Sequence, residues 1–269
     1  MASETRAFLR RSRARRSAGA VLLAAAAAAA PAGGQVVSDL EPERPIAVED
    51  ARPIAYRALA VSADWSYNAR GSADDTGPGF SALYGATRGL ELGAALRYVT
   101  RPGRNALRGI SSGDLEVHAL YGVVNESARG PGVAVRLGVH LPTGLDSRGT
   151  DVHFAALATR SFDSFRLHGN ARWTRIGDTL TPERADRLEG TLGVDFLPSR
   201  RGSTDTLLMA SVQVRSSPIL GGEMILEAEV GGRRRIGAQS VFFAGAGSQL
   251  SGEGDRAKVR IRAGVGHLF

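Results

Sequence analysis

The sequence predicts an all-β protein, an antiparallel transmembrane β-barrel of about 12 strands behind a cleaved signal peptide. Three observations carry this expectation. The chain ends in Ala257 to Phe269, where Val259, Ile261, Ala263, Val265, His267 and Phe269 alternate without a slip with Lys258, Arg260, Arg262, Gly264, Gly266 and Leu268. It begins with a basic stretch and a short apolar run that ends in small residues. Between them lie segments of period two, each about the 9 to 11 residues that a tilted membrane strand requires.

Met1 to Arg16 holds Arg6, Arg10, Arg11, Arg13, Arg15 and Arg16 against Glu4, and Ala18 to Ala30 follows with Val21, Leu22 and Leu23. The apolar run is shorter than the ~20 residues of a spanning helix. With Ala30-Pro31-Ala32 as an A-x-A site, residues 1–32 read as a secretory signal peptide. Arg10-Arg11 is followed by Ser-Arg-Ala-Arg rather than by an apolar continuation, which argues against twin-arginine export. Residues 33–55 carry Asp39, Glu41, Pro42, Glu43, Pro45, Glu49 and Asp50 without periodicity and read as a periplasmic lead-in. The barrel is expected over residues 56–269.

Its alternating segments are 56–67, 79–87, 90–100, 114–125, 132–142, 150–161, 164–175, 186–196, 205–215, 222–233, 238–248 and 257–269. Leu90, Leu92, Ala94, Leu96 and Tyr98 alternate with Glu91, Gly93, Ala95, Arg97 and Val99; Phe165, Leu167, Gly169, Ala171 and Trp173 alternate with Arg166, His168, Asn170, Arg172 and Thr174. Helical spacing would scramble these faces. The segment 238–248 is the least regular, since Val241, Phe242 and Phe243 are apolar on both faces. With a periplasmic N-terminus, the connections near 68–78, 101–113, 143–149, 176–185, 216–221 and 249–256 fall outside the cell and are the longer set, as in barrels of this type. Arg88-Gly89, Asp163-Ser164 and Gly130-Pro131-Gly132 sit where the chain must reverse.

Charge and composition narrow the function. The formal net charge is +7, but residues 1–32 hold six arginines against one glutamate, so about +2 remains after cleavage. That balance excludes a nucleic-acid footprint. With no cysteine, disulfides, thiolate metal sites and a cysteine nucleophile are excluded. No stretch after the signal region is long and apolar enough for a helical span, so a membrane would be crossed by strands.

Alternation alone does not say which face meets lipid, because a soluble exported barrel or sandwich gives the same string. Strand length, the signal peptide, the terminal aromatic and Trp65, Tyr67, Tyr98, Trp173 and Phe196 near strand ends favour the membrane, where aromatics form interfacial girdles. The polar row then faces the lumen. Arg97, Glu116, His118, Arg136, His140, His153, Arg166, His168, Arg172, Arg260 and Arg262 are the candidate lining of a solute path, with pairing among mixed charges as the purely structural alternative. His118, His140 and His153 lie near one mouth with Asp114, Glu116 and Asp151, a combination that suits a divalent metal or a pH-sensitive gate. No H-x-x-x-H or H-E-x-x-H spacing accompanies them, so hydrogen-bonded luminal histidines and no metal or other cofactor are expected. Nor is there a G-x-S-x-G or a phosphate-cradling loop, and the chain does not read as an enzyme.

Val133 to Phe162 adds a motif. A strand running into Leu141-Pro142-Thr143-Gly144, a short polar loop, then Gly149-Thr150-Asp151 opening a strand that ends Ser161-Phe162, resembles the outer-membrane family named for the MetA pathway of phenol degradation. The resemblance implies a transporter of small, often aromatic or hydrophobic compounds. The expected protein is therefore a porin-like barrel of the cell outer membrane, for small aromatic or anionic solutes. Its expected partners are outer-membrane lipid, the solute and the barrel-assembly machinery, the last through the closing strand and Phe269. The alternatives are a non-conducting structural or surface-interaction barrel, acting through loops such as 68–78 and 101–113, and a lipid-modifying barrel enzyme relying on His153 or His168.

Overall fold

A computed structural model of the chain describes residues 44–69, 74–98, 113–144, 147–198, 206–252 and 258–269. The expected signal peptide and its cleavage site lie outside the described residues. Twelve strands run through the described residues: β1 (Leu59–Ala69), β2 (Asp75–Thr87), β3 (Leu90–Arg97), β4 (Leu115–Val124), β5 (Gly132–Leu141), β6 (Asp151–Ser161), β7 (Phe165–Arg175), β8 (Asp186–Phe196), β9 (Thr206–Arg215), β10 (Ile225–Arg235), β11 (Ser240–Ser251) and β12 (Val259–Leu268). Each pairs antiparallel with its sequence neighbours and β1 pairs with β12, so the sheet closes into a barrel. At the seam Leu59 and Phe269 exchange backbone hydrogen bonds, which places the terminal residue in the last rung.

The strand limits follow the alternation closely. The largest departure is at β2, which extends back to Asp75, and the others stay within three residues, as at β1, which starts only after a turn at Tyr56-Arg57 with Arg57 at φ 66°. Gly77-Pro78-Gly79 has no apolar row, so the early half of β2 was invisible to periodicity. On β11 the ambiguity at three consecutive apolar residues resolves cleanly. Val241 and Phe243 are fully buried inside and Phe242 is 43 % exposed outside. Phe243 lies against Gly264, where a side chain would collide with its ring, and the Arg262 guanidinium stands 5.5 Å from its centroid, a cation–π contact.

The two faces separate by chemistry. Leu92, Leu96, Leu137, Leu167, Leu188, Leu192, Val212, Val230, Ile261 and Val265 are exposed on the outer surface, while Ser62, Asp64, Glu91, His153, Asp195, Glu227 and Glu229 are buried inside. Such an inversion is stable where the outside is hydrocarbon. Trp65, Tyr67, Tyr98 and Trp173 mark one rim, with the indole of Trp65 donating to Thr76 Oγ1 at 2.6 Å and that of Trp173 to Asp186 Oδ1 at 3.2 Å. Tyr84, Tyr121, Phe162, Phe196 and Phe269 mark the other. Trp173 and Phe165 are eight residues apart on β7, about 26 Å along a strand and roughly 20 Å along a barrel axis tilted by ~40°, close to the ~25 Å of an apolar band.

This geometry makes a direct prediction. Leu192, 72 % exposed near the middle of β8, becomes costly when charged. Leu192→Arg lowers the stability of the vesicle-inserted barrel by about 2–4 kcal/mol, measured by urea unfolding. A change within about 0.5 kcal/mol, usual for exposed positions in water, contradicts a lipid-facing surface.

The described part of the expected lead-in segment meets the barrel. Residues 44–55 run inside it, with Ile46, Val48, Ala51 and Ile54 buried. Ile46 and Val48 pack on Leu207 and Met209; Ala51 packs on Leu120, Ala134 and Leu157. The wall makes room with glycine at Gly193, where a side chain would collide with Val48, and at Gly245, where it would collide with Pro45.

Candidate functional site: the barrel lumen

All eleven residues read from the sequence as luminal fall on the inward rows of their strands. The structure divides them into groups and adds partners from the inserted segment.

The first group is a buried quartet of two guanidiniums and two carboxylates. Asp195 on β8 accepts from Arg44 Nη1 at 2.8 Å and from Arg166 Nη2 at 2.9 Å; Asp50 Oδ2 accepts from Arg166 Nη1 at 3.1 Å and from Arg44 Nη2 at 3.2 Å. His168 Nε2 lies 3.1 Å from Asp195 Oδ2, and its Nδ1 lies 2.9 Å from the Thr159 hydroxyl. The hydroxyl, imidazole and carboxylate form a chain, but the hydroxyl also accepts the Ala51 amide and two guanidiniums occupy Asp195. The arrangement binds the inserted segment rather than presenting a nucleophile to a substrate.

The second group surrounds Glu49. Its carboxylate accepts from Arg136 Nη1 at 2.6 Å and from Arg172 Nη2. Arg136 Nη2 turns to Glu116 Oε1 and to His118 Nδ1, the latter at 3.0 Å. Toward the rim carrying the long connections, His140 and His153 approach each other with ring centroids 5.3 Å apart.

The third group lines the remaining arc. Arg262 donates to Asp64 Oδ1 at 2.7 Å, Arg97 stands 3.9 Å from Asp64 Oδ2, Arg260 pairs with Glu229 and Arg215 with Glu227. The side chains of Arg97 and Arg260 are paired but keep 47 % and 35 % exposure, so positive charge reaches the solvent along this arc.

The residues that sequence reasoning missed are Asp64 and Glu91 on the inner wall and, above all, those of the segment itself: Arg44, Glu49, Asp50 and Arg52. An irregular backbone at membrane depth must have its polar groups satisfied by protein. Ala47, Glu49 and Ile54 donate their amides to Glu229, Asn170 and Glu91, and the Arg44 carbonyl accepts from Arg262. Arg52 anchors the segment at the rim of short turns through Glu126 and Ser161. One signal was legible in principle: Arg136 on β5 and Arg166 and Arg172 on β7 concentrate positive charge on one part of the wall, and Glu49 and Asp50 are acids just outside the barrel pattern.

The Pro-Thr-Gly motif has a structural part. Thr143 accepts the Leu115 amide at 2.9 Å and donates to the Gly113 carbonyl, while Asp151 accepts the Gly177 amide at 2.9 Å. It ties together the connections that follow β3, β5 and β7. Asp114 and Asp151 serve these connections, so of the three acids near the histidines only Glu116 turns to them.

This closed barrel has the fold of outer-membrane channels and porins. It is similar to the COG4313 outer membrane channel from Pseudomonas putida F1, with a TM-score of 0.65 at 13% identity over 83% of this chain and 100% of that one. It is also similar to the NanC porin (TM-score 0.56, 11% identity, 76% of this chain and 98% of that one) and to the KdgM porin (TM-score 0.54, 12% identity, 77% and 99%). No family model and no curated protein matches the sequence.

Proposed function

We propose that this protein is an outer-membrane channel or transporter for small solutes, with residues 44–55 narrowing its passage. The observation that carries the reading is a closed barrel of twelve strands with an apolar exterior and an ion-paired interior. Twelve strands lie between the eight that side chains fill and the sixteen that leave a wide aqueous pore. Solutes would move by diffusion through a focused field, not by chemistry. Exposed Arg97 and Arg260 favour anions, aromatic carboxylates and phenolates included. The KdgM porin, one of the similar structures, is known in complex with oligogalacturonate, which is compatible with that preference. The Leu141-Pro142-Thr143-Gly144 and Gly149-Thr150-Asp151 motif supports placement in the family of the MetA phenol-degradation pathway. In this reading the short-turn rim is periplasmic, residues 1–32 are removed on export, and the closing strand with Phe269 is the signal read by the barrel-assembly machinery.

In a planar bilayer under a KCl gradient, the mature protein is expected to prefer anions. The double variant Arg97→Gln, Arg260→Gln shifts its reversal potential toward cation preference, because two solvent-reaching positive charges are removed while Glu229 loses its guanidinium partner and Asp64 keeps only Arg262. A second reading, a non-conducting structural barrel, is favoured by the segment that crosses the lumen. Absence of current and of solute uptake into liposomes would establish it over the first.

A further inference from the structure

We propose that Glu116, His140 and His153 form a binding site for a divalent transition metal of the zinc class in the outer vestibule. One ligand atom from each lies within 4.8 Å of the others. Glu116 faces His140 across the β4–β5 ladder, and His153 on β6 faces Gly138, two residues before His140. Gly138 is required there: a side chain on it would come within 2.3 Å of His153 Nε2, so its absence lets the imidazole lie over β5 and reach toward Glu116, 3.7 Å away.

The second observation is His153 itself. It is 1 % exposed, and neither ring nitrogen has a hydrogen-bond partner. Leaving two buried polar atoms unmet is costly. His118, in the same cluster, is satisfied by Arg136, so the unmet imidazole is a particular of His153. Two imidazoles and a carboxylate suit zinc, with a fourth position left for water or a solute group. Tetrahedral bonds of ~2.0–2.1 Å put ligand atoms roughly 3.4 Å apart, so side-chain rotations closing about 1.4 Å complete the site. Glu116 would then be shared with or withdrawn from Arg136, while Arg136 keeps Glu49. The three ligands come from three strands, which is why no short motif betrayed them. The proposal stands whether or not the barrel conducts.

The test uses untagged mature barrel in detergent, titrated with cobalt(II). One equivalent is expected to give the visible absorption of a four- or five-coordinate ion, displaced by zinc. His153→Ala and Glu116→Gln weaken binding by about tenfold or more, while His267→Ala, on the outer surface, leaves it unchanged. Heat-modifiable gel migration checks that each variant is folded; should one fail, X-ray absorption of the zinc-loaded wild type must count two imidazoles. A wild-type spectrum identical to aqueous cobalt, or fewer than two imidazoles, or undiminished binding in folded His153→Ala, overturns the proposal.

Discussion

Deleting residues 44–54 raises the single-channel conductance of the mature barrel several-fold and increases its preference for anions. The segment crosses the lumen from Arg52, at the rim of short turns, to Pro45 against β10 and β11, and its side chains fill space that the wall leaves at Gly193 and Gly245. Without it that volume belongs to water. Its four charges, Arg44, Glu49, Asp50 and Arg52, cancel, so the net charge of the barrel is unaltered. The local field is not. Arg136 and Arg172 lose Glu49, and Arg166 loses Asp50, which leaves a positive girdle on β5 and β7 facing the new pore. Such a girdle concentrates anions. Glu49→Gln is the milder form: it keeps the segment but removes the negative charge and one of the two oxygens that accept from Arg136 and Arg172, and should give brief openings to a larger conductance. Planar-bilayer recordings of the three proteins check both statements. Equal conductance in wild type and deletion would mean that the current does not pass the segment.

The largest effect on stability is expected at Asp195. It is fully buried and accepts from Arg44 and Arg166 with His168 beside it. Asp195→Asn preserves shape but leaves the quartet with two guanidiniums against Asp50 alone. Breaking a buried pair by removing one partner costs about 3–5 kcal/mol, whereas removing a pair together is often close to neutral. Asp195→Asn should therefore destabilise the barrel by that amount in urea, and Asp195→Asn combined with Arg166→Met should recover much of the loss by leaving Arg44 and Asp50 as a simple pair. A cost below about 1 kcal/mol, the range of solvent-exposed pairs, would mean that water reaches the quartet.

These two positions also mark what sequence could and could not reveal. Period two fixes rows absolutely, since a slip by one residue moves every side chain to the other face. Arg166, His168 and Arg172 were for that reason placed inward from letters alone, and the 186–196 segment coincides with β8. Periodicity was silent where the row is interrupted, as at Gly77-Pro78-Gly79, and where both rows are apolar, as at Phe242 and Phe243. It was also silent about partners. Glu49 reaches Arg136 and Arg172 across 87 and 123 residues of chain, and a segment with prolines and no period carries no sign of which surface it will lie on. Its acidic, irregular composition reads as a periplasmic lead-in, because such composition ordinarily stays in water. Here the arginine-rich interior offers a better-matched environment. The vestibule residues were legible as a combination that suits a divalent metal, but not which three of them converge: they come from separate strands without a short spacing, and only the closed register brings them together.

The placement of residues 44–55 within the lumen is tested most directly by a cross-link. The chain has no cysteine, so Pro45→Cys with Gly245→Cys introduces the only two thiols. A side chain built at Gly245 puts its Cβ 3.0 Å from Cβ of Pro45 and 2.8 Å from the Pro45 carbonyl oxygen, so the segment must draw back by several tenths of an ångström, which also brings the pair to the ~3.5–4.5 Å that a disulfide requires. In the membrane-inserted barrel under mild oxidation, a disulfide is expected to form between 45 and 245, detected as a reducible shift on a denaturing gel, with no thiol left for maleimide. Two free, readily labelled thiols in a folded, heat-modifiable barrel would contradict it.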